Sequence, residues 1–270
     1  MPRTLRITTR NATFQQWQAL LGNRTKRQRA GEFLVQGVRP ISLAVEHGWE
    51  IRALLTAEGP GLSRWARDLI ETAGAPRALL SAALLGELGG KDEEAPELVA
   101  VVGLPGDDLA RVPVRPDLLV VVFDRPTTPG NIGTLVRSAD AFGATGVIVT
   151  GHAADPYDPK AVRASTGSLF ALPVVRVPSH REVLEWVGAV GVPVQVVGTD
   201  ERGPVDIAEH DLTGPTVLAV GNETQGLSAA WRDACDRMVR IPITGAASSL
   251  NAASAATVAL YEAARQRRSR

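Results

Sequence analysis

The second half of the chain alternates between short, β-rich apolar runs and longer segments whose apolar residues recur at helical spacing. The runs are LLVVVFD (118–124), GVIVT (146–150), PVVRV (173–177), VQVVG (194–198), TVLAV (216–220) and VRIPI (239–243). This alternation predicts an α/β fold with a mostly parallel sheet and helices on both faces. An Ala-rich segment then predicts a C-terminal helix, with Ser248 and Ser249 as candidate N-caps.

The first hundred residues form a smaller α/β pattern. Helical spacing predicts helices at 12–22 and 62–74, and short apolar runs predict strands at 33–37, 51–56 and 98–103. The segment 106–117 is rich in Asp and Pro and is typical of a linker. We therefore predict three regions: a small α/β domain at 1–104, a linker at 105–116 and a larger domain at 117–270.

Composition narrows the class of protein. The 270 residues carry 29 Lys and Arg against 29 Asp and Glu, so the formal net charge is zero. No apolar run approaches the ~20 residues that span a bilayer, and the polar N-terminus lacks a signal-peptide core. A single cysteine, Cys235, excludes an internal disulfide. These features predict a cytoplasmic protein with no membrane partner.

The charge is unevenly distributed, however. Residues 1–31 contain seven basic residues and no acidic one. Such a block is suited to phosphates, because Lys and Arg release counterions when they neutralise them. We predict RNA binding by Arg24, Lys26, Arg27 and Arg29. The alternative is a basic arm that only contacts solvent.

The sequence lacks the motifs of several common enzyme classes. No G-x-G-x-x-G follows a strand, and neither G-x-x-x-x-G-K-[ST] nor G-x-S-x-G occurs. The four histidines are scattered, and no Cys/His group has metal-ligand spacing, so no metal is expected. An active site must therefore be built from loop backbone and a few Asn, Ser, Glu and Arg side chains.

Three loops follow predicted strands, where open α/β sheets bind ligands. They are DRPTTPGNIGTLVRSADAFGA (124–144), GNETQGLS (221–228) and IPITGAASSLN (241–251). Each also has a structural interpretation. Asn131 could cap a helix on which Arg137 is a surface residue, Ser228 could cap the helix after the second loop, and the third could be a small-residue linker.

In this order and spacing, the three loops resemble the three motifs of the SPOUT methyltransferases, in particular the TrmH-like RNA ribose 2′-O-methyltransferases. Residues 31–55, GEFLVQGVRPISLAVEHGWEIRALL, resemble the ribosomal protein L30e-like RNA-binding domain of many such enzymes. The layout is most similar to actinomycete enzymes that methylate 23S rRNA and confer antibiotic resistance. In one departure, Asn251 is followed by Ala252-Ala253-Ser254, where the family commonly has Val-Ser-Val.

The resemblance implies a deep trefoil knot, S-adenosylmethionine as cofactor, 23S rRNA as substrate and a homodimer. It places catalytic roles on Asn131, Arg137, Glu223, Ser249 and Asn251. It places the cofactor against Thr199, Gly221, Asn222, Ile241, Ile243 and Leu250, with Gly221 allowing close approach of the backbone.

The resemblance leaves three points open. Arg137 stays protonated, so we expect it to bind phosphate and stabilise the developing alkoxide rather than act as a base. The proton acceptor is phosphate, water or Glu223, and Arg137 could act in its own or the partner's site. A tRNA ribose methyltransferase and a non-catalytic RNA-binding protein are the alternatives.

Overall fold

The computed structural model describes residues 4–59, 61–89 and 96–268 of the chain. The chain divides into two compact units. The first unit comprises Met1–Pro105 together with Tyr157–Ala171, and the second comprises Gly106–Pro156 together with Leu172–Arg270. In the described part of the chain, no helix is long and apolar enough to cross a membrane.

The helices and strands follow in chain order. The first half contains β1 (Leu5–Ile7), α1 (Ala12–Gly22), α2 (Arg24–Ala30), β2 (Glu32–Gln36), α3 (Val38–Glu46), β3 (Ile51–Ala57), α4 (Arg64–Ala73), β4 (Arg77–Leu80), α5 (Ala82–Gly89), β5 (Leu98–Gly103) and β6 (Leu119–Asp124). The second half contains α6 (Pro129–Ala141), β7 (Gly146–Thr150), α7 (Pro159–Ser165), α8 (Ser168–Ala171), β8 (Val174–Val177), α9 (His180–Ala189), β9 (Gln195–Thr199), β10 (Val205–Asp206), β11 (Thr216–Val220), α10 (Ala229–Ala234), β12 (Arg237–Arg240) and α11 (Ala252–Arg268).

The first unit is built on a five-stranded sheet of order β1-β4-β3-β5-β2. The pairs β1–β4 and β3–β4 are parallel, whereas β5 pairs antiparallel with β3 and with β2. All six residues of β5 are buried, as expected for a strand between two neighbours and covered on both faces. β2 forms one edge of this sheet.

The segment Tyr157–Ala171 belongs to the first unit, although it lies between β7 and β8 in sequence. Its Tyr157 and Phe170 rings pack against Phe33, at 5.0 and 6.2 Å between centroids. Trp49 donates a hydrogen bond from Nε1 to the Phe170 carbonyl at 2.9 Å. The boundaries 1–104, 105–116 and 117–270 remain a prediction about domains, and these contacts assign one short stretch of 117–270 to the first unit.

The second unit contains a seven-stranded sheet of order β10-β12-β9-β11-β6-β7-β8, and every pairing is parallel. The mostly parallel α/β fold is therefore confirmed. Because parallel strands end at the same edge, the loops after β12, β9, β11 and β6 leave from neighbouring positions. That edge holds the three loops singled out in the sequence.

The structure corrects three local predictions. Asn131 is not a cap: α6 begins at Pro129, and Thr128 occupies the N-cap position. The predicted strand 239–243 ends at Arg240, which leaves Ile241 and Ile243 in a loop because Pro242 cannot donate to a sheet ladder. The C-terminal helix is capped by Asn251 rather than Ser248 or Ser249, since the Asn251 Oδ1 accepts from the Ala253 and Ser254 amides. The predicted Ser228 cap of α10 is confirmed.

Candidate active site

A cavity of about 290 Å³ lies at the carboxyl ends of β9, β11 and β12. Three groups of residues line it: Thr199–Arg202 after β9, Val220–Gly226 around the end of β11, and Ile241, Ile243, Ser249 and Leu250 after β12. Arg232, Ala252 and Ala255 complete the lining. Its mixture of aliphatic side chains, backbone turns and a few charged groups is typical of a small-molecule site.

Side-chain hydrogen bonds join the three sequence loops beside this cavity. Glu223 accepts from Asn131 Nδ2 at 2.7 Å through Oε1. Asn131 in turn accepts through Oδ1 from Asn251 Nδ2 at 3.3 Å. The two pairs are 92 and 120 residues apart in sequence. The fold thus brings Asn131, Glu223 and Asn251 into one continuous chain of hydrogen bonds.

Glu223 is anionic in this arrangement. Burial raises the pKa of the Glu223 carboxyl, but hydrogen bonds from Asn131 and Thr127 outweigh burial and hold the pKa below its ordinary value. The second oxygen accepts from the Thr127 amide at 3.2 Å and its hydroxyl at 2.9 Å. All three of these donors are uncharged, so they orient the carboxylate without cancelling its charge.

The turn that carries Glu223 is closed by its own backbone. Asn222 and Gly226 exchange two backbone hydrogen bonds, and Asn222 Oδ1 accepts from the Thr224 and Gln225 amides. Asn222 lines the cavity, yet its side-chain oxygen is used within the turn. An Asx-type turn of this kind fixes where residue 223 points.

The expected reason for Gly221 is corrected by this geometry. A Cβ added at Gly221 would lie 2.0 Å from the Gly226 carbonyl carbon and 2.1 Å from the Leu227 nitrogen. Gly221 lines the cavity, but the α-hydrogen that stands where other residues carry Cβ faces the protein's own turn. Glycine is therefore required here by close backbone packing within the turn, irrespective of any ligand.

Two arginines that the sequence analysis missed hold this turn from outside. Arg125 donates to the Gln225 side chain and to the Gly226 carbonyl, both at 3.3 Å. Its backbone has φ +51°, a left-handed conformation that is strained for a residue with a Cβ. Arg232 donates to the Leu227 carbonyl at 3.1 Å and pairs with Asp200 at 2.7 Å. Their spacing in sequence matched no motif, so only their contacts reveal them.

The remaining predicted cofactor residues, Thr199, Ile241, Ile243 and Leu250, all line the cavity. Ser249 lines it too, but its hydroxyl makes no hydrogen bond to the described residues.

Arg137 differs from the other predicted catalytic residues. It is exposed on α6, six residues after Asn131, and among described residues it has no ion pair or hydrogen bond. Six residues correspond to 600° of helix rotation, so the two side chains project about 120° apart.

The four predicted RNA-binding residues separate into two kinds. Lys26 and Arg29 are exposed, and Arg24 is half-buried. Arg27 is only 2% exposed; it donates to the Leu20 carbonyl at 2.6 Å and lies 3.4 Å from Asp158. A side chain enclosed in this way is not accessible to phosphate, and the structure argues against the predicted role of Arg27. In the described ranges no group of His, Cys, Asp and Glu could hold a metal ion.

Comparisons with known proteins agree with both units. Residues 11–100 match the SpoU L30e-like domain model, and residues 118–261 match the SpoU rRNA methylase family model. A 23S rRNA (uridine(2479)-2′-O)-methyltransferase of Streptomyces viridochromogenes is 63% identical over 98% of this chain and 94% of its own length.

Solved structures give the same result. The SpoU methyltransferase AviRb from Streptomyces viridochromogenes, in complex with the cofactor AdoMet, matches with a TM-score of 0.93 at 63% identity, over 96% of this chain and 99% of that one. An AdoMet-bound rRNA methyltransferase from Sinorhizobium meliloti matches with a TM-score of 0.87 at 29% identity, over 97% and 98%. The expected knot is consistent with these neighbours. By its sequence, its fold and the assembly of its three motifs at one sheet edge, this chain belongs to the SpoU rRNA methylase family.

Proposed function

We propose that this protein methylates the 2′-oxygen of a ribose in 23S rRNA, with S-adenosylmethionine as the methyl donor. The observation that carries the proposal is the hydrogen-bonded chain Glu223–Asn131–Asn251 beside the cavity. The full-length relative named a 23S rRNA (uridine(2479)-2′-O)-methyltransferase supports the same reaction and suggests the corresponding uridine as target. In a cytoplasmic setting such a methyl group would protect the ribosome from an antibiotic.

The cavity fits the cofactor. Ile241, Ile243 and Leu250 offer an apolar wall for an adenine, and the turns around them offer backbone groups. Glu223 is anionic and has only uncharged donors, so it favours a cationic ligand at this end of the cavity. When bound, S-adenosylmethionine would supply the methyl group from its sulfonium. The sulfonium would become a neutral thioether, the leaving group, as the ribose oxygen takes the methyl.

The protein's own residues align the ribose and manage charge. The Asn131 side chain is held by both Glu223 and Asn251, so the amide is fixed beside the cavity before substrate arrives. We assign Arg137 to a backbone phosphate next to the target ribose, where its charge stabilises the developing alkoxide. The 2′-proton leaves to Glu223, phosphate or water as the oxygen takes the methyl; the lowered pKa makes Glu223 a weak base without excluding it, because phosphodiester and water are weak bases too.

We propose that the protein acts as a homodimer, and the exposed position of Arg137 supports this proposal. Arg137 makes no hydrogen bond or ion pair with the hydrogen-bonded chain described above, so its charge would act at a site only if RNA or a second subunit brings the two together. On α11, which packs against α6, Val258 and Tyr261 are 39% and 48% exposed. These apolar side chains offer a surface for a second copy.

Mapping of 2′-O-methyl groups on 23S rRNA tests the reaction directly. Ribosomal RNA from cells with the wild-type protein should carry one additional methylated ribose, and RNA from cells with Arg137→Ala should lack it. A methylated tRNA ribose instead would favour the tRNA alternative. Calorimetry with S-adenosylmethionine tests the non-catalytic alternative, which predicts no binding by the wild type.

Complementation tests the dimer. If Arg137 serves the partner's site, a heterodimer of Arg137→Ala with Glu223→Ala contains one intact site and one site with both changes. Mixing these two inactive variants should then restore activity. If Arg137 serves its own subunit, each site in the mixture keeps one defect and activity stays absent.

A further inference from the structure

Most basic residues near the start of the first unit are neutralised by the fold. Arg6 pairs with Glu58 and Arg10 with Glu87, each at 2.5 Å, although no acid lies near them in sequence. Further along, Arg52 pairs with Glu32 at 3.2 Å and Arg64 with Asp68 at 3.6 Å. The block that is purely basic in sequence is therefore not a continuous basic surface. The Arg3 of that block lies outside the described residues.

Helix α2 is the exception. It packs on β2, the edge strand of the first sheet, and turns Arg27 inward. Lys26 and Arg29 are exposed on its outer side. Within the described ranges, neither side chain has an ion pair or a hydrogen bond. Their charges are therefore available to an external anion.

Helix α7 adds two more charges at the same edge. The buried Arg27 approaches Asp158, which caps α7 by accepting from the Lys160 amide at 3.0 Å. α7 also packs on β2 and buries Ala161, Val162 and Ser165. Lys160 and Arg163, three residues apart and so on one helix face, are exposed and have no side-chain partner among the described residues.

We infer that Lys26, Arg29, Lys160 and Arg163 form one basic face that binds the phosphate backbone of the RNA substrate. Four cations without acidic partners, on two helices at one sheet edge, favour the binding of a polyanion that neutralises them. The inference rests on the proposed function and extends it, because two of the four residues come from a segment about 130 positions away from the basic block. This segment belongs to the first unit, so the face lies within one compact body.

The salt dependence of RNA affinity tests the face. The probe is a transcript of the 23S rRNA region around uridine 2479, titrated by fluorescence anisotropy at several salt concentrations. If Lys160 and Arg163 each contact one phosphate, Lys160→Ala/Arg163→Ala should lower the log–log slope by about 1.4–1.8, since each contact contributes roughly 0.7–0.9. Lys26→Ala/Arg29→Ala should lower it by a similar amount.

The matched control is Arg64→Ala/Arg115→Ala, which also removes two exposed arginines. Both of these side chains are paired with carboxylates, Arg64 with Asp68 and Arg115 with Asp117 at 3.5 Å, so the slope should stay at the wild-type value. A wild-type slope for Lys160→Ala/Arg163→Ala would overturn the inference. Equal losses in the test and control pairs would also overturn it, because they would indicate only net charge.

Cofactor binding separates this inference from the proposed function. The Lys26/Arg29 and Lys160/Arg163 variants should bind S-adenosylmethionine like the wild type, because they change only the first unit and the cavity lies in the second. Arg115 lies in the second unit but does not line the cavity, so the control should bind the cofactor too. If the wild type binds neither cofactor nor RNA, the proposed function fails. If the wild type binds both and the α7 pair leaves the salt slope unchanged, the basic face alone fails.

Discussion

The basic start of the first unit and the three loops of the second unit respond to folding in opposite ways. Residues 1–31 form an unbroken basic block in sequence, and the fold distributes it: Arg6 and Arg10 gain acidic partners and Arg27 is buried. Asn131, Glu223 and Asn251 are separated by up to 120 residues, and the fold joins them by hydrogen bonds. Charges adjacent in sequence need not share a surface, whereas ordered loops on parallel strands must share an edge.

Arg137 is expected to have the largest effect, and it tests whether the motif residue outside the hydrogen-bonded chain belongs to the site. Arg137→Ala should slow single-turnover methyl transfer about a hundredfold or more, on the order of 3 kcal/mol in the barrier. Because the side chain is exposed, stability should change by less than about 0.5 kcal/mol. Arg181→Ala, an exposed arginine on α9, is the control. A wild-type rate for Arg137→Ala would remove it from the catalytic residues.

Arg27 provides the corresponding test in the basic block. Arg27→Ala should lower the free energy of unfolding by about 3 kcal/mol, because the Leu20 carbonyl and Asp158 lose a buried charged donor. Arg29→Ala, on the exposed side of the same helix, should stay within about 0.5 kcal/mol. Denaturant unfolding measures both. If Arg27→Ala keeps wild-type stability but flattens the salt slope for RNA, the sequence interpretation of Arg27 was right.

A substitution at Gly221 tests whether glycine is required there by contact with a ligand or by the tight turn. Gly221→Ala should cost about 1–3 kcal/mol of stability, because the new methyl group would meet the Gly226 and Leu227 backbone. Gly245→Ala has open space around its Cβ and should be near neutral. Thermal unfolding and calorimetry with S-adenosylmethionine separate the alternatives. A Gly221→Ala protein with wild-type stability and no cofactor binding would restore the ligand explanation.

Arg125 tests whether the clamp on the Glu223 turn matters for ligand binding. Arg125→Gly removes the left-handed strain together with both hydrogen bonds to the turn. We expect a loss of stability, because the buried Asp124 carboxylate loses its ion pair with Arg125 at 3.1 Å, and a roughly tenfold weaker Kd for S-adenosylmethionine, equivalent to about 1.4 kcal/mol. Arg125→Lys keeps the charge without the planar fork and should recover only part of the affinity. Unchanged affinity in Arg125→Gly would mean that the turn holds its shape unaided.

The pH dependence that comes from Glu223 should be the smallest effect near neutral pH. A carboxyl whose folded pKa is lowered contributes stability above its unfolded pKa and loses that contribution as pH falls through the folded value. The stability difference between wild type and Glu223→Gln should therefore shrink only below the ordinary value of 4.5. The rate of methyl transfer should show no ionisation of Glu223 between about pH 6 and 9. If the rate does change with pH in that range and the change disappears in Glu223→Gln, Glu223 is the proton acceptor.

Much of this could be predicted from the sequence, for identifiable reasons. Apolar runs such as TVLAV (216–220) mark β11 to the residue, since a buried parallel strand must be continuously apolar. Errors occurred where several residues can serve one local purpose. Ser248, Ser249 and Asn251 are all good caps, and the side chain that meets free helix amides decides between them. No sequence pattern indicated the proposed role of Lys160 and Arg163, because that role depends on which unit α7 joins.

By itself, the sequence determined the alternation of strands and helices, the order of the three loops and the family, because these depend on local periodicity and residue spacing. The tertiary structure decided which charges are neutralised, why Gly221 must be glycine and which arginines hold the Glu223 turn. Several of those outcomes depend on contacts between residues about a hundred positions apart, such as Arg125 with Gly226 and Arg27 with Asp158, whereas Gly221 meets Gly226 and Leu227 within its own turn. The energy of a charge or a turn is set by its neighbours in space, and only the folded chain specifies them.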